Sequence, residues 1–456
     1  MSAPRPELGP ALWAAWRHAR ASRAELREWQ DARLRRLVRH AYESVPFYRR
    51  LFDRARLHPR HIRGVVDLEL IPTTDKAMMR QAGAAPLLAQ GHDAASLLTV
   101  RTSGSSGEPF TIHRTWLEDK LQYLLRLRTF GGFGVRHRDR IVMVGVGGRP
   151  ASGDTKMIGR SLRALGFHSR QLVDGLQAPA RVAMQLRESR PDVLIGLAGM
   201  LDRLTGPELA DAIAGVRPRL IIIGGEVATP AMRLRIREAF AAPLYETYGS
   251  HECPLIAWEC RHSGDLHTCD DGVLVEVVQG ERPAEPGERG EVILTNLHAY
   301  VMPFLRYRIG DLATRADACR CGLPFGSIGD IQGRMIDYFP LPDGRLLHPY
   351  EIVSRLVWGS GEWLKQYQLV QERRDRVVLY AVTDGPPSAE RVEGIGRAVR
   401  PLLGPAVEFE VQLVERIPTD ATGKLRPSRS LVQSEYDRLR LAPVAPAPRA
   451  RRTLSA

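Results

Sequence analysis

Apolar residues recur at two different spacings along the chain, and the two spacings predict different elements. Between residues 11 and 56 they follow helical spacing among many arginines, as at Leu34, Leu37 and Val38, which predicts two or three amphipathic helices. From residue 140 onward, short apolar runs alternate with longer stretches, which is typical of parallel strands joined by crossover helices. The sequence therefore predicts an α/β body with a mainly parallel sheet flanked by helices.

The individual elements follow from these runs. Strands of the body are predicted at 141–146, 193–196, 220–223 and on the approach to Tyr248, with helices near 155–166, 178–189, 200–214 and 229–241. Antiparallel strands are predicted at 273–278 and 291–295. Near the end, strands at 366–371, 376–383 and 407–414 surround a helix at 387–403 and precede a final helix, which predicts a small C-terminal α+β domain.

A chain of 456 residues exceeds the size at which one core keeps growing, so several domains are expected. The patterns predict a helical arm at 1–60, a large domain at 61–333, a small mobile domain at 334–440 and a disordered tail at 441–456 rich in Pro, Ala and Arg. The helices of the arm are expected to pack either on the body or on a second subunit, so a homodimer is one expectation.

Charge and composition narrow the function classes. The net charge is +13, but the basic residues, of which five are lysines, are scattered, and no nucleic-acid module is recognisable, so no nucleic-acid partner is expected. No run of 18 apolar residues and no signal-like start is present, so we expect a cytoplasmic protein without a membrane anchor.

One loop is unusually poor in large side chains. Residues 102–109 read Thr-Ser-Gly-Ser-Ser-Gly-Glu-Pro between two short apolar runs, which predicts a strand, a loop and a second strand. Successive backbone N–H groups in such a loop form a concavity that binds anions, although a flexible Ser/Gly turn has the same composition. The candidate phosphate-binding residues are Thr102, Ser103, Gly104, Ser105, Ser106 and Gly107.

Four later segments accompany this loop in a fixed order. They are Gly224-Gly225-Glu226, the Tyr-Glu-Thr-Tyr-Gly-Ser-His-Glu of 245–252, the Arg-Tyr-Arg-Ile-Gly-Asp of 306–311 with Gly333-Arg334, and Thr422-Gly423-Lys424. Together the five motifs resemble the adenylate-forming enzymes, which include acyl-CoA and aryl-CoA synthetases, luciferases and peptide-synthetase adenylation domains. Within that superfamily the chain is most similar to the phenylacetate-CoA ligase branch, on the evidence of residues 46–53, residues 67–76 and its modest length. The resemblance covers roughly residues 40–430.

The resemblance implies that ATP and Mg²⁺ activate a carboxylic acid, expected to be aromatic, and that the acyl group passes to coenzyme A. In that family the 102–107 loop holds the β and γ phosphates, and Gly224, Gly225 and Glu226 line the adenine pocket. Tyr248 and Gly249 border the adenine and the acyl carboxylate, and Thr247 contacts the α-phosphate. Glu252 holds Mg²⁺, a hard cation that prefers oxygen ligands.

Three further roles come from the same resemblance. Asp311 accepts hydrogen bonds from the two ribose hydroxyls, Arg334 assists at the ribose or phosphate, and Lys424 bridges the substrate carboxylate and the α-phosphate. Taken singly, Glu252, Asp311 and Arg334 are more simply a surface acid, the acid of a turn and an ion-pair partner. The alternative for Lys424 is an exposed lysine at the start of a helix, which the Thr-Gly-Lys context disfavours. Their order along the chain favours the functional interpretation.

Two departures from the family pattern keep alternatives open. Ile336 stands where relatives usually carry an acidic hinge residue, and Phe110 follows the loop proline where a basic residue is common. An adenylate-forming amide synthetase with an amine acceptor, or a non-catalytic nucleotide-binding relative, is therefore the rival hypothesis.

The cysteines suggest a metal site and not a disulfide framework. Cys260, His267, Cys319 and Cys321 offer the donors of a tetrahedral Cys₃His zinc site, and ligases of the resembled branch pin a loop with zinc. His262 or Cys269 is an alternative ligand. Four protein ligands leave no open position, so such a zinc ion would be structural.

Overall fold

The computed structural model describes residues 17–432 apart from 102–109, 146–169, 176, 227, 229, 281, 333–338, 348, 350–351, 354, 356–363, 384, 386, 416 and 418–427. This part of the chain is mixed α/β, with one large sheet and helices packed against it. The fold class expected from the sequence is confirmed.

Ten α-helices lie in the described residues. They are α1 Arg23–Ser44, α2 Pro46–Arg54, α3 Lys76–Ala82, α4 Ala84–Leu87, α5 Trp116–Gly132, α6 Pro179–Ser189, α7 Ala198–Asp202, α8 Ala210–Ile213, α9 Pro230–Phe240 and α10 Ala389–Leu403. Short 3-10 helices cover Pro59–His61, Val65–Leu70, Ala94–Ser96, Arg203–Thr205 and Pro207–Leu209.

The strands of the described residues fall into four sheets. They are β1 Thr74–Asp75, β2 Leu98–Arg101, β3 Thr111–Arg114, β4 Ile141–Gly145, β5 Arg170–Asp174, β6 Val193–Leu197, β7 Leu220–Gly224, β8 Leu244–Tyr248, β9 Ala257–Glu259, β10 Leu266–Thr268, β11 Val273–Gln279, β12 Arg282–Pro283, β13 Arg289–Asn296, β14 Tyr307–Arg315, β15 Ser327–Gln332, β16 Phe339–Pro340, β17 Leu346–Leu347, β18 Leu364–Arg373, β19 Arg376–Thr383, β20 Glu408–Leu413 and β21 Ser428–Ser430.

One half of the large sheet is parallel, in the order β5-β4-β6-β7-β8. Helices α6 and α9 are two of the expected crossover connections. The helix expected at 200–214 is instead broken into α7, two 3-10 turns and α8, because Gly206-Pro207 interrupts it and proline cannot donate within a helix. The helix expected near 155–166 lies outside the described residues.

The other half of the large sheet is antiparallel. The strand order continues from β8 through β9, β10, β15, β14, β13 and β11 to β12, and β1 adds to β14 in parallel. The sequence predicted β11 and β13 but missed the bridge formed by β9 and β10. These two strands have three residues each, which is too short to show a period of two.

The N-terminal helices pack on the body. Ser22 caps α1 in a capping box with Glu25, a local start signal that satisfies helix N–H groups. The apolar face of α1 and α2 joins a core completed by residues 274–307, and the Tyr48 hydroxyl donates to the Pro303 carbonyl oxygen at 2.9 Å. Two amphipathic helices are thus confirmed, and the homodimer stays a prediction.

The C-terminal strands form a sheet of their own in the order β20-β19-β18-β21. Helix α10 packs against it around Leu369, Leu379 and Val399, all of which are buried. The predicted strands and the helix at 387–403 are confirmed, and the final helix lies outside the described residues. Across the described ranges, no helix has both the length and the apolarity needed to cross a bilayer.

Candidate active site

Two glycine-bearing strand ends lie side by side at the carboxyl edge of the parallel half. A Cβ atom at Gly224, the last residue of β7, would lie 2.5 Å from the backbone oxygen of Thr247 in β8. Gly225 has φ +77°, which glycine adopts without strain. Ligands of open α/β sheets bind beyond such carboxyl ends, so the predicted motifs lie where a ligand is expected.

A third close approach shapes the loop after β8. A Cβ atom at Gly249 would lie 2.3 Å from the Pro254 carbonyl oxygen, so no other residue fits there without moving the loop. The loop 249–254 is thereby folded back on itself, with Ser250 N donating to the Cys253 carbonyl oxygen at 2.9 Å. This tight loop carries Glu252.

Tyr248 and Asp311 are joined across the sheet. The Tyr248 hydroxyl donates to Asp311 Oδ2 at 2.8 Å, and Asp311 follows Gly310, whose φ is +86°, at an irregularity of the β13–β14 ladder. Burial and the nearby Asp311 carboxylate raise the pKa of Tyr248 well above its usual value, so the phenol keeps its proton. Two motifs that lie 63 residues apart are therefore part of one site.

Glu252 lies next to this pair and is held by two residues that the sequence had assigned no role. Its side chain is buried, and Oε1 accepts a hydrogen bond from the Tyr307 hydroxyl at 3.1 Å. Asn296 Nδ2 donates to the Glu252 backbone oxygen at 2.9 Å. Tyr307 could have been found from the sequence because it lies in the 306–311 motif, whereas no motif contains Asn296.

Two other predicted site residues have contacts within the body. Thr247 Oγ1 donates to the Ile223 carbonyl oxygen at 3.3 Å, which fixes its hydroxyl at the sheet edge. The Glu226 carboxylate accepts a hydrogen bond from Gly199 N at 2.7 Å, at the start of α7. The carboxylate of Glu226 thus contacts the backbone of the body, and the adenine-lining role implied for Gly224, Gly225 and Glu226 stays a prediction.

Behind β8, one arginine serves two carboxylates. Arg233 Nη1 donates to Glu246 at 2.9 Å, while Arg233 Nη2 donates to both oxygens of Glu259 at 2.8 Å. Burial raises the pKa of Glu246 to about 7, which the shared Arg233 only partly opposes and the Glu259 charge reinforces.

The remaining predicted residues lie outside the described residues. These are Thr102, Ser103, Gly104, Ser105, Ser106, Gly107, Gly333, Arg334, Ile336 and Lys424. The strands on either side of 102–107 are described, and β2 pairs antiparallel with β3, which confirms the two predicted strands.

The Cys/His group predicted for zinc is brought together by three segments. Cys260 follows β9, His267 lies in β10, and Cys319 and Cys321 lie between β14 and β15, with all four ligand atoms within 4.8 Å of one another. Cys260 Sγ is 3.5 Å from Cys319 Sγ, and Cys321 Sγ is 3.2 Å from His267 Nε2. Three thiols and one imidazole at these separations fit a tetrahedral zinc ion.

The two alternative ligands are placed elsewhere. The Cys269 thiol faces Asp271 Oδ1 at 3.6 Å and Arg128 Nη2 at 3.7 Å, away from the cluster. His262 contributes its backbone N–H, which donates to Cys260 Sγ at 3.4 Å. Such an N–H···S contact stabilises a thiolate ligand.

Known proteins match the chain in sequence and in fold. Residues 342–428 match the family described as the CapK C-terminal domain. The phenylacetate-coenzyme A ligase of Thermus thermophilus is 28% identical over 375 residues, covering 77% of this chain and 79% of the relative. The phenylacetate-coenzyme A ligase of Escherichia coli is 28% identical over 309 residues, covering 64% and 68%.

A solved structure shares the fold over nearly its whole length. It is 2-hydroxyisobutyryl-CoA ligase in complex with 2-HIB-AMP and CoA, with a TM-score of 0.63, 21% identity and 93% of each chain covered. At that identity the likeness concerns the fold.

Proposed function

Because the chain belongs to the adenylate-forming superfamily, on its phenylacetate-CoA ligase-like branch, we propose that it is an AMP-forming acid–thiol ligase. It activates a carboxylic acid with ATP and transfers the acyl group to coenzyme A. The observation that carries this proposal is the Tyr248–Asp311 hydrogen bond of 2.8 Å at the glycine-bearing strand ends. It unites two motifs that the family uses for one nucleotide.

In the first half-reaction, a carboxylate oxygen of the acid attacks the α-phosphorus of ATP, and the bond to pyrophosphate breaks. The protein's contribution is positioning and charge neutralisation. The open backbone at Gly224 and Gly225 leaves room for a flat base. Asp311, an acceptor without donors when ionised, suits two ribose hydroxyls, and the Tyr248 hydroxyl fixes its orientation.

Glu252 is proposed to hold Mg²⁺ on the departing phosphates, since one carboxylate with substrate phosphates is a common arrangement for that ion. The Tyr307 hydroxyl orients this carboxylate. Thr247 is proposed to face the α-phosphate, with Gly249 leaving space for the acyl carboxylate. The 102–107 loop, Arg334 and Lys424 are assigned the roles that the resemblance gives them.

In the second half-reaction, the coenzyme A sulfur attacks the acyl carbonyl carbon, the thiol proton is lost and AMP leaves. We propose that the region 334–440 rearranges against the region 61–333 between the two steps, with Ile336 as the hinge residue. Hinges need not be small or charged. The match of 342–428 to a C-terminal domain family supports this division, and the cytoplasmic location stays a prediction.

We also propose that Cys260, His267, Cys319 and Cys321 hold a structural zinc ion. The cluster joins the β9–β10 hairpin to the segment between β14 and β15. Zinc would therefore fix the bridge between the parallel and antiparallel halves of the sheet.

The function is tested by ATP–pyrophosphate exchange over a panel of carboxylic acids, followed by addition of coenzyme A or amines. Lys424→Ala should slow exchange at least about 100-fold, the order expected for losing one preorganised electrostatic group, yet still transfer the acyl group from supplied acyl-adenylate. Asp311→Asn should raise KM for ATP, and Asp192→Asn, at a partly exposed ion pair with Arg140, serves as control.

Two results would change the proposal. Exchange without thioester formation, but with amide formation, would replace it with the amide-synthetase hypothesis. Nucleotide binding without exchange for any acid would favour the non-catalytic relative.

A further inference from the structure

Basic side chains gather around Tyr123 on the side of α5 that faces the candidate active site. The Arg170 guanidinium lies over the Tyr123 ring at 4.9 Å, and the Lys120 ammonium is 5.9 Å from the same ring centre. Arg126, one helical turn after Tyr123 and Gln122, and Arg114, at the end of β3, complete the group. The four cations come from β3, α5 and β5, so the fold and not a local charge run brings them together.

The group touches the loop that carries Glu252. Arg114 Nη2 donates to the His251 carbonyl oxygen at 2.6 Å, and Arg126 Nη2 donates to the Pro254 carbonyl oxygen at 2.6 Å. The Pro254 oxygen is also the atom that packs on Gly249. Arg126 is therefore separated from the expected position of the acyl carboxylate by a single turn of backbone.

The positive charges at Arg126 and Arg170 are not balanced within the described part of the chain. The neighbouring Asp119 already lies 2.9 Å from Lys120 and 3.9 Å from Arg114. Among the described residues, no carboxylate lies within ion-pair distance of Arg126 or Arg170, and Arg170 Nε and Nη2 are buried without a hydrogen-bond partner. Burial lowers the pKa of Arg126 and repulsion from Arg170 and Arg114 lowers it further, which Tyr123 and the more distant Asp119 only partly oppose.

Such an arrangement destabilises the protein without a ligand. A buried cation without a counter-ion loses its hydration, and one carbonyl oxygen or one ring face replaces only part of it, while a second cation adds repulsion. An anion placed between the two guanidinium groups removes both penalties. Arginine suits this purpose because its planar fork binds carboxylate, sulfonate or phosphate oxygens in pairs.

We propose that Arg126 and Arg170 form a subsite for a second acidic group on the acyl substrate. The substrate class is then a carboxylic acid that carries a further carboxylate, sulfonate or phosphate away from the carboxylate that is activated. The Tyr123 ring beside the two arginines offers an apolar surface, which suits an organic acid better than a bare inorganic anion. This inference rests on the proposed function and narrows its substrate. The phosphates of ATP or pyrophosphate share the same chemistry, and the test separates them.

The experiment compares matched acids in the exchange assay, with phenylacetate against 4-carboxyphenylacetate and butyrate against succinate. The wild-type protein should have the higher kcat/KM for the dicarboxylate of at least one pair. Arg126→Gln and Arg170→Gln should each lower that kcat/KM by about tenfold or more, the order expected for losing a charge-assisted hydrogen bond. In Arg170→Gln, KM for ATP and the monoacid kinetics should stay the same. Arg126 also holds the Pro254 carbonyl oxygen, so Arg126→Gln is judged by the ratio of its kcat/KM values for the dicarboxylate and the monoacid, which should fall by the same factor. Arg140→Gln, at an exposed arginine paired with Asp192, should change none of these.

A second readout separates ligand binding from a structural role. Without added acid, the two glutamine variants should melt at the same or a higher temperature than the wild type, because the repulsion is removed. The preferred dicarboxylate alone should raise the melting temperature of the wild type and not of Arg170→Gln.

Several results would overturn the inference. Equal kcat/KM values for monoacids and dicarboxylates would refute the subsite and leave the proposed function intact. If none of the acids supported ATP–pyrophosphate exchange, the function itself would be refuted. The melting experiment would then still decide whether the subsite binds dicarboxylates. A raised KM for ATP or weaker inhibition by pyrophosphate, with an unchanged dicarboxylate preference, would assign the arginines to phosphate. A lowered melting temperature in both variants would show that they are structural.

Discussion

Arg126 and Arg128 lie two residues apart on α5, and their surroundings differ completely. Arg128 forms a bidentate ion pair with Asp271, which also accepts a hydrogen bond from His18 Nδ1 at 3.2 Å. Its guanidinium lies over the Phe325 ring at 4.9 Å. Arg126 faces the opposite side of the helix, where it donates to a backbone carbonyl and is repelled by two further arginines, with Asp119 near enough to offset only part of that repulsion.

The pKa values of the two regions reflect this difference. Burial alone would raise the pKa of Asp271, but Arg128 and His18 outweigh it and hold that pKa far below its usual range. In the Arg126 region, burial and repulsion act in the same direction on the arginine. A buried charge that is neutralised within the chain makes its partner necessary for the fold, whereas one left unbalanced points to a ligand that arrives later.

The Cys/His cluster is a third case, because the negative charge of its thiolates would be neutralised by a zinc ion. Purified protein should contain about one equivalent of zinc, and Cys319→Ser with Cys321→Ser should abolish zinc binding. Structural zinc in small domains binds with an apparent free energy of roughly 10–16 kcal/mol, and the top of that range is an upper limit for the stability lost here. We therefore expect the largest drop in melting temperature from this variant.

The matched control is Cys253→Ala, which removes a buried thiol outside the cluster. Metal analysis should find its zinc content unchanged. Metal-free wild-type protein with the same melting temperature would refute the zinc site.

Removing Asp271 tests the neutralised side of the comparison. Asp271→Ala leaves Arg128 buried without its partner, so the free energy of unfolding should fall by about 3–5 kcal/mol. Urea denaturation measures this, with Asp375→Ala as control, since its exposed ion pair with Arg373 contributes less than about 1 kcal/mol. If Arg126→Gln cost as much stability as Asp271→Ala, the distinction between the two regions would fail.

Glu246 gives a smaller, pH-dependent effect. Its pKa is raised from 4.5 in the unfolded chain to about 7 in the folded protein, so the folded state binds the proton more tightly. This contribution to stability is fully present below about pH 4.5 and is lost as the pH rises through about 7. Between about pH 5 and about pH 8 the free energy of unfolding should therefore fall in the wild type. This fall should be larger in the wild type than in Glu246→Gln by on the order of 2 kcal/mol. Equal differences in the two proteins would show that another group is responsible.

Much of the fold could be predicted from the sequence. The apolar runs at 193–196 and 220–223 and the amphipathic pattern around Leu34 reflect burial in single elements, which periodicity detects. The β9–β10 bridge and the break after α7 could not be found this way. They depend on very short strands and on one Gly-Pro pair, where tertiary contacts decide the structure.

The candidate site shows the same limit. Gly224, Tyr248, Glu252 and Asp311 were found because they lie in short motifs. Asn296, Arg126 and Arg170 were missed, since each lies in an ordinary segment and gains its significance from neighbours far along the chain. The ionic surroundings of α5 are a property of the folded protein and leave no pattern in one sequence.

The long-range closure of the arm has a consequence for synthesis on the ribosome. Tyr48 finds its partner, the Pro303 carbonyl, 255 residues later, and the core around α1 and α2 needs residues 274–307 for completion. At ordinary translation speeds, roughly 10 to 50 seconds pass between the synthesis of the arm and the synthesis of the residues that bury its apolar face. During this time that apolar face stays exposed, so nascent chains that stop before residue 303 should bind chaperones more than nascent chains that extend beyond it.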